Sequence, residues 1–309
     1  MSYYGFESSY VKLKTMEKAP DFMFSSVYAY RVIPNFLMVN TANALDFLIN
    51  NYFHSSKEFI LKNGTIFYHS IFLINSLFFV LSSVILNTIL KLKPVEIFFN
   101  NNLKRLLHLL AVFFIVIVQY VPTNCDCIAI FFYLLGVFFT LRYFHYRKSF
   151  DFILLCITVF ISTFVRETAC LNIAFFAAVF LDFKRIKAKD FQFLREIALL
   201  VLAFVLPYLG LKMIIPQETS FFEGIYIIKN FTSPFNLAGL LFGLLGLWLA
   251  FTLCDHHGKL ILKKYLFFSI PYLGMITLVG LFWETRLFLP LILSGLIVAS
   301  HQFKNIHIA

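Results

Sequence analysis

The thirty residues 152–181 hold only two charged side chains, and these are neighbours at its middle: Arg166 and Glu167. A run this apolar folds only where water is scarce, so each charge there needs a partner or a ligand. On the lenient insertion scale a charge at membrane depth costs about 2.5–3.5 kcal/mol, so such residues are rarely idle. A near mirror image follows, where Glu284-Thr285-Arg286 interrupts the apolar stretch 265–300.

The rest of the chain agrees with a lipid setting. It has 309 residues, 60% of them hydrophobic and 14% charged, with 42 Phe. Mean hydropathy is +0.83, which leaves too little polar surface for a soluble domain of this length. The apolar runs are helix-length, unlike the short alternating segments of an outer-membrane barrel, so the expected class is an all-α polytopic membrane bundle. The net charge of +10 is dispersed over loops, which argues for basic cytoplasmic loops and against a nucleic-acid partner. Cys125, Cys127, Cys156, Cys170 and Cys254 form no disulfide framework and no paired zinc spacing. The first thirty residues carry no signal-peptide core.

Three regions are expected. Residues 1–65 form a non-cytoplasmic juxtamembrane segment in which 35–51 reads as an interfacial amphipathic helix. Residues 66–300 form the bundle and 301–309 a cytoplasmic tail. Nine crossings are predicted at 66–90, 106–121, 127–143, 152–165, 169–181, 197–215, 237–254, 265–282 and 287–300.

The run 152–181 counts as two crossings. As one helix it would reach about 45 Å, against a core of about 30 Å. Its flanks, Arg147-Lys148 and Lys184-Arg185-Ile186-Lys187-Ala188-Lys189, are both basic and belong on the cytoplasmic side. The chain must therefore go out and return, with Arg166-Glu167-Thr168 at a sunken outer turn. Applied throughout, the same rule puts sixteen of the 26 Lys and Arg inside. Beyond the N-terminal segment only Arg166, Lys212, Lys229 and Arg286 are left outside. An outward-facing N-terminal segment also leads us to expect an initial transmembrane helix ahead of Met1.

The polar set on the outer side is then Glu7, Glu17, Asp21, Tyr30, Arg31, Asp126, Arg166, Glu167, Glu284 and Arg286. Arginine forks grip phosphate, and a carboxylate can deprotonate a hydroxyl or position a divalent cation. A second reading stands beside this one: Arg166–Glu167 and Glu284–Arg286 as structural ion pairs, and Asp126 as a cap on the helix starting at Cys127. Cys254-Asp255-His256-His257 has metal-ligand residue types without the spacing of a zinc site. Asn63-Gly64-Thr65 and Asn230-Phe231-Thr232 match the glycosylation pattern, which is common by chance.

Four segments carry a resemblance: Tyr4-Gly5-Phe6-Glu7, Tyr28-Ala29-Tyr30-Arg31-Val32-Ile33-Pro34, Phe164-Val165-Arg166-Glu167-Thr168-Ala169, and Trp283-Glu284-Thr285-Arg286-Leu287-Phe288-Leu289-Pro290. In this order the chain resembles bacterial polytopic proteins related to the GT-C superfamily of glycosyltransferases. The resemblance implies a polyprenyl-phosphate-linked sugar as donor, used on the outer face of the bacterial cytoplasmic membrane, with the C-terminus inside. It implies Glu7 as catalytic base, with Asp21 next, and Arg31, Arg166 and Arg286 on the phosphate. Tyr30, Asp126, Glu167 and Glu284 would support them, and a divalent cation is the one cofactor admitted. Two departures bear on catalysis. The acid Glu7 is followed by Ser8 where the pattern has Asp followed by Gly, and the first helix of the pattern has no counterpart here. The same outer charges also suit a transporter or flippase for a phosphorylated lipid or anionic solute, or a degenerate non-enzymatic membrane protein.

Overall fold

The structure, a computed structural model, describes residues 27–118, 125–182, 193–215 and 224–303, with Val27 and Tyr28 described by their backbone alone. Among these residues the chain is helical, with one isolated bridge between Pro94 and His301 and no strand. Apolar runs of this length close their backbone hydrogen bonds internally, and the helix does so within one segment. The helices are α1 (Val32–Asn51), α2 (Lys57–Leu61), α3 (Ile66–Lys91), α4 (Asn101–Val118), α5 (Asp126–Tyr146), α6 (Ser149–Thr163) and α7 (Cys170–Phe180). They continue with α8 (Leu194–Ile214), α9 (Ile227–Thr232), α10 (Pro234–Leu253), α11 (His256–Phe268), α12 (Ile270–Val279) and α13 (Leu289–Ser300).

Six of them, α1, α3, α4, α5, α8 and α10, are long and apolar enough to cross a membrane. The stretch 265–282, expected as one crossing, holds the end of α11 and the whole of α12, and these two helices meet at a bend of 51°. Pro271 explains the break, because it has no N–H to return to Phe267 and its ring crowds that carbonyl. The stretch 35–51, read from its pattern as interfacial, lies within α1, a 20-residue helix that meets the length and apolarity of a span.

Two short helices form the centre. All twelve residues of α13 are buried, as are nine of the eleven of α7. At about 1.5 Å per residue each reaches less than 20 Å, so neither crosses a 30 Å core alone. Around them, the long helices turn apolar stripes outward: Leu73, Leu77, Val80 and Val84 on α3, and Leu106, Leu109, Phe113 and Ile117 on α4. Repeats of three and four residues put each set on one helix face, a surface suited to lipid.

Small residues let α10 approach the centre closely. A Cβ on Gly243 would lie 2.7 Å from the Phe288 ring, and one on Gly246 would lie 2.5 Å from Ile292. At Gly239 the neighbour is backbone: its Cβ would sit 2.0 Å from the Phe282 carbonyl oxygen. Gly239→Ala should therefore displace the loop ahead of α13 and cost about 1–3 kcal/mol. Gly210→Ala, with nothing within 4 Å of its Cβ, is the control expected to leave the thermal midpoint unchanged.

Several polar groups in the core are paired across helices. The Tyr133 hydroxyl of α5 bonds both Tyr265 of α11, at 2.7 Å, and Ser294 of α13. At the far end of α5, Arg142 pairs with the fully buried Asp151 of α6 at 2.9 Å. Arg147 takes a left-handed conformation (φ 54°) in the turn between those helices, with its guanidinium 5.1–5.9 Å from the rings of Phe144, Phe180 and Phe193. The Lys264 ammonium donates to the Leu181 carbonyl at 2.6 Å, at the end of α7. Charges at this end thus close the turns of α5–α6 and α7.

Candidate functional site

At the other end of α5, the sequence motifs meet. Asp126 opens that helix, buried, and one carboxylate oxygen accepts from Arg166 while the other accepts from Arg286 Nη1 at 2.9 Å. Arg286 also donates through Nη2 to Glu284 at 2.8 Å. Arg166 lies in the turn between α6 and α7, and Arg286 in the short turn ahead of α13. α6 therefore runs towards this end and α7 away from it, back to Arg147 at the α5–α6 turn, whose guanidinium lies 5.2 Å from the Phe180 ring.

Local geometry explains why these residues converge. A single 3-10 turn, Glu167–Ala169, runs into α7, and a second, Thr285–Leu287, runs into α13. Arg166 and Arg286, just ahead of these turns, both reach Asp126 in the first turn of α5, so the three helix starts lie close together. Their dipoles make that place favourable to an anion. Asp126 supplies an internal anion in the first turn of α5. It does not cap the helix: the capping position is Cys125, which makes no side-chain cap hydrogen bond.

Arg31 belongs to the same neighbourhood. The Cys125 thiol, fully buried, lies in electrostatic reach of Arg31, Asp126, Arg166 and Arg286. The backbone makes the link directly, with the Ile33 N–H donating to the Phe164 carbonyl at 3.2 Å. Met38 of α1, Phe67, Tyr68 and Ile71 of α3, Ile128 of α5 and Val165 pack into one apolar cluster beneath this contact. Tyr30 turns its ring edge towards Tyr208 of α8, at 6.5 Å between centroids. Two guanidinium groups, of Arg166 and Arg286, thus share the site with the carboxylates of Asp126 and Glu284, and Arg31 lies within charge–charge range of the adjoining Cys125.

One reading is corrected here. Arg166 and Glu167 are not an ion pair: Arg166 turns to Asp126, and Glu167 has no ion-pair partner among the described residues. Adjacent residues do not face each other in a helical turn, so sequence neighbours make poor partners. Asn230, in a glycosylation-type triplet, is buried and structural. Its amide donates to the carbonyls of Thr277 at 3.0 Å and Gly280 at 2.8 Å, and its oxygen accepts from the Phe282 N–H at 3.1 Å.

Sequence reasoning missed Asn236 and Tyr272. Asn236 accepts from the Trp283 N–H at 3.0 Å, so with Asn230 it fastens the irregular loop that carries Glu284. Tyr272, buried in α12, donates to the Leu287 carbonyl at 2.8 Å and lies in electrostatic reach of Arg166 and Asp126. Two asparagines six residues apart beside an apolar helix were the available signal. Glu7 and Asp21 lie outside the described residues, as does the Tyr4-Gly5-Phe6-Glu7 segment. Asp255 accepts from the Gly258 N–H at 2.7 Å and so caps α11. No group of three potential metal ligands occurs among the described residues.

Next to the cluster runs a groove of about 660 Å³. Ile117, Phe235, Ala238 and Phe242 give it apolar walls, while Lys229 and Thr285 supply polar groups. Trp283 and Thr285 flank Glu284 in the chain, so the groove reaches the segment that carries Glu284 and Arg286, while the charged residues of the cluster do not line it.

The fold and this site define a class: an all-helical chain with several membrane-length apolar helices and a buried arginine–carboxylate cluster where helix starts converge. Compared with known proteins, the chain matches no protein-family model, no curated protein and no solved structure.

Proposed function

We propose that this is a multi-pass membrane glycosyltransferase-like protein of GT-C architecture that takes a polyprenyl-phosphate-linked sugar at the end of the bundle where Asp126 stands. The observation that carries the reading is the joining of Arg166 and Arg286 by one buried carboxylate, with Arg31 beside them. Two motifs far apart in the chain thereby bring guanidinium groups to one carboxylate, with Arg31 of a third motif within charge–charge range of the adjoining Cys125. The neighbouring groove supports the same reading, since its apolar walls suit a prenyl chain whose phosphate rests on the arginines.

In this account Asp126 holds the arginines in place and offsets their charge until a phosphate arrives. Arg31, Arg166 and Arg286 then carry the lipid phosphate as it leaves the sugar. The acceptor hydroxyl attacks the anomeric carbon and gives its proton to Glu7, with Asp21 the next choice of base. Glu167 and Glu284 orient arginines or bind a divalent cation. The clustering of Arg142, Arg147 and Lys264 at the opposite end supports a cytoplasmic orientation for that end. With the bent pair counted, and with α6, α7 and α13 counted as short passes that end at a sunken outer cavity, the chain makes nine passes in the bacterial cytoplasmic membrane. Its C-terminus is inside and α1 lies at the outer interface.

One observation favours a second reading. An aspartate that already satisfies two arginines also suits a non-enzymatic protein whose charges merely fasten helix starts. An assay of the full chain with labelled polyprenyl-phosphate sugars separates the two. Transfer by wild type, and its loss in the Arg166→Ala, Glu7→Gln double variant, supports the enzyme; equal signals from both proteins exclude it.

A further inference from the structure

The end of the bundle away from Asp126 holds a second polar hollow, of about 270 Å³, between the last turn of α3 and the first turns of α4. Asn87 and Lys91 line it from α3, and Asn101, Lys104, Arg105 and His108 from α4. Nothing acidic lines it, and Lys91, Lys104 and Arg105 form no ion pair among the described residues. Three like charges left together repel one another unless an anion sits between them. The hollow is also held in shape: His108 Nε2 lies 3.1 Å from the Ser83 hydroxyl and 3.2 Å from its carbonyl, tying α4 to α3.

What adjoins the hollow selects the anion. The exposed apolar stripes of both helices begin beside it, with Val84 and Val80 on α3 and Leu106, Leu109 and Phe113 on α4. A ligand that is anionic at its head and apolar along its length matches both surfaces at once. A free anion would leave the stripes unused, and an acidic peptide would have to sit at the lipid boundary. The 18-residue α4 begins at Asn101, so its N-terminal dipole adds to the positive potential there.

We propose that this hollow binds the phosphodiester head of an anionic phospholipid, with the acyl chains lying along the α3–α4 faces. Basic pockets between membrane helices recognise such head groups through charge. The inference depends on α3 and α4 crossing the membrane. It is independent of any ligand at Asp126, whose cluster lies a full helix length away.

The test uses the full chain in nanodiscs of phosphatidylcholine doped with phosphatidylglycerol, followed by native mass spectrometry to count retained lipids. Wild type should retain phosphatidylglycerol in preference to phosphatidylcholine. The Lys91→Ala, Lys104→Ala, Arg105→Ala variant should lose about ten-fold or more of that retention. Lys259→Ala, Lys263→Ala removes charge elsewhere and should lose little. If the triple variant fails to fold, Arg105→Glu alone, at an exposed position, should still weaken retention. Equal retention of the two lipids, equal loss in the control, or displacement of the lipid by excess inorganic phosphate would each overturn the proposal.

Discussion

Replacing Asp126 by Ala should destabilise the protein by about 3–5 kcal/mol, the usual consequence of removing one partner from a buried charge cluster. The arginines it joins are largely buried, at 13% and 17% side-chain exposure, so water cannot take over its role. In mild detergent the thermal midpoint should fall by on the order of 10 °C. Arg142→Ala breaks an ion pair outside the cluster but removes the partner that is 36% exposed. It still strands Asp151, so it should destabilise too, though at the opposite end of α5 and without touching the arginine cluster. A midpoint unchanged by Asp126→Ala would mean that the two arginines do not depend on that carboxylate.

Removing Asp126 together with both of its arginines should reverse most of this loss, leaving Glu284, whose side chain is 25% exposed, as the remaining charge of the cluster. Asp126→Leu with Arg166→Met and Arg286→Met exchanges an ionic cluster for apolar side chains of similar length, and such exchanges are often neutral or stabilising. The triple variant should therefore melt close to wild type while Asp126→Ala does not. Its ligand behaviour should move the other way. Without two of three guanidinium groups, retention of a polyprenyl phosphate should fall by ~100-fold, since each charge-assisted hydrogen bond contributes about 1.5–3 kcal/mol. A single protein that is folded and blind to phosphate would separate a recognition role from a structural one.

Much of this site was legible because charges in apolar runs are conspicuous. Arg166, Asp126, Glu284 and Arg286 stand out on composition alone, and all four lie in one cluster. The pairing among them was not legible. Asp126 is 40 residues from Arg166 and 160 from Arg286, and nothing local specifies which carboxylate meets which guanidinium. Proximity in sequence pointed to Glu167 instead, although the turn separates it from its neighbour. The helices were foreseen to within a few residues where a run had polar ends, as at α3. The break between α11 and α12 was hidden because hydropathy does not register a proline within an apolar run. Asn230 and Asn236 looked incidental for a related reason: their partners are backbone atoms of a loop some 50 residues later, and backbone leaves no mark in a sequence.

The central claim is that the Asp126–Arg166–Arg286 cluster is a phosphate site for a lipid-linked ligand. It is tested most directly by native mass spectrometry of the full chain with polyprenyl phosphate, comparing wild type with the folded triple variant. The account predicts a retained polyprenyl phosphate on wild type and its loss from the variant, with melting midpoints close to each other. Equal retention by the two proteins would contradict it.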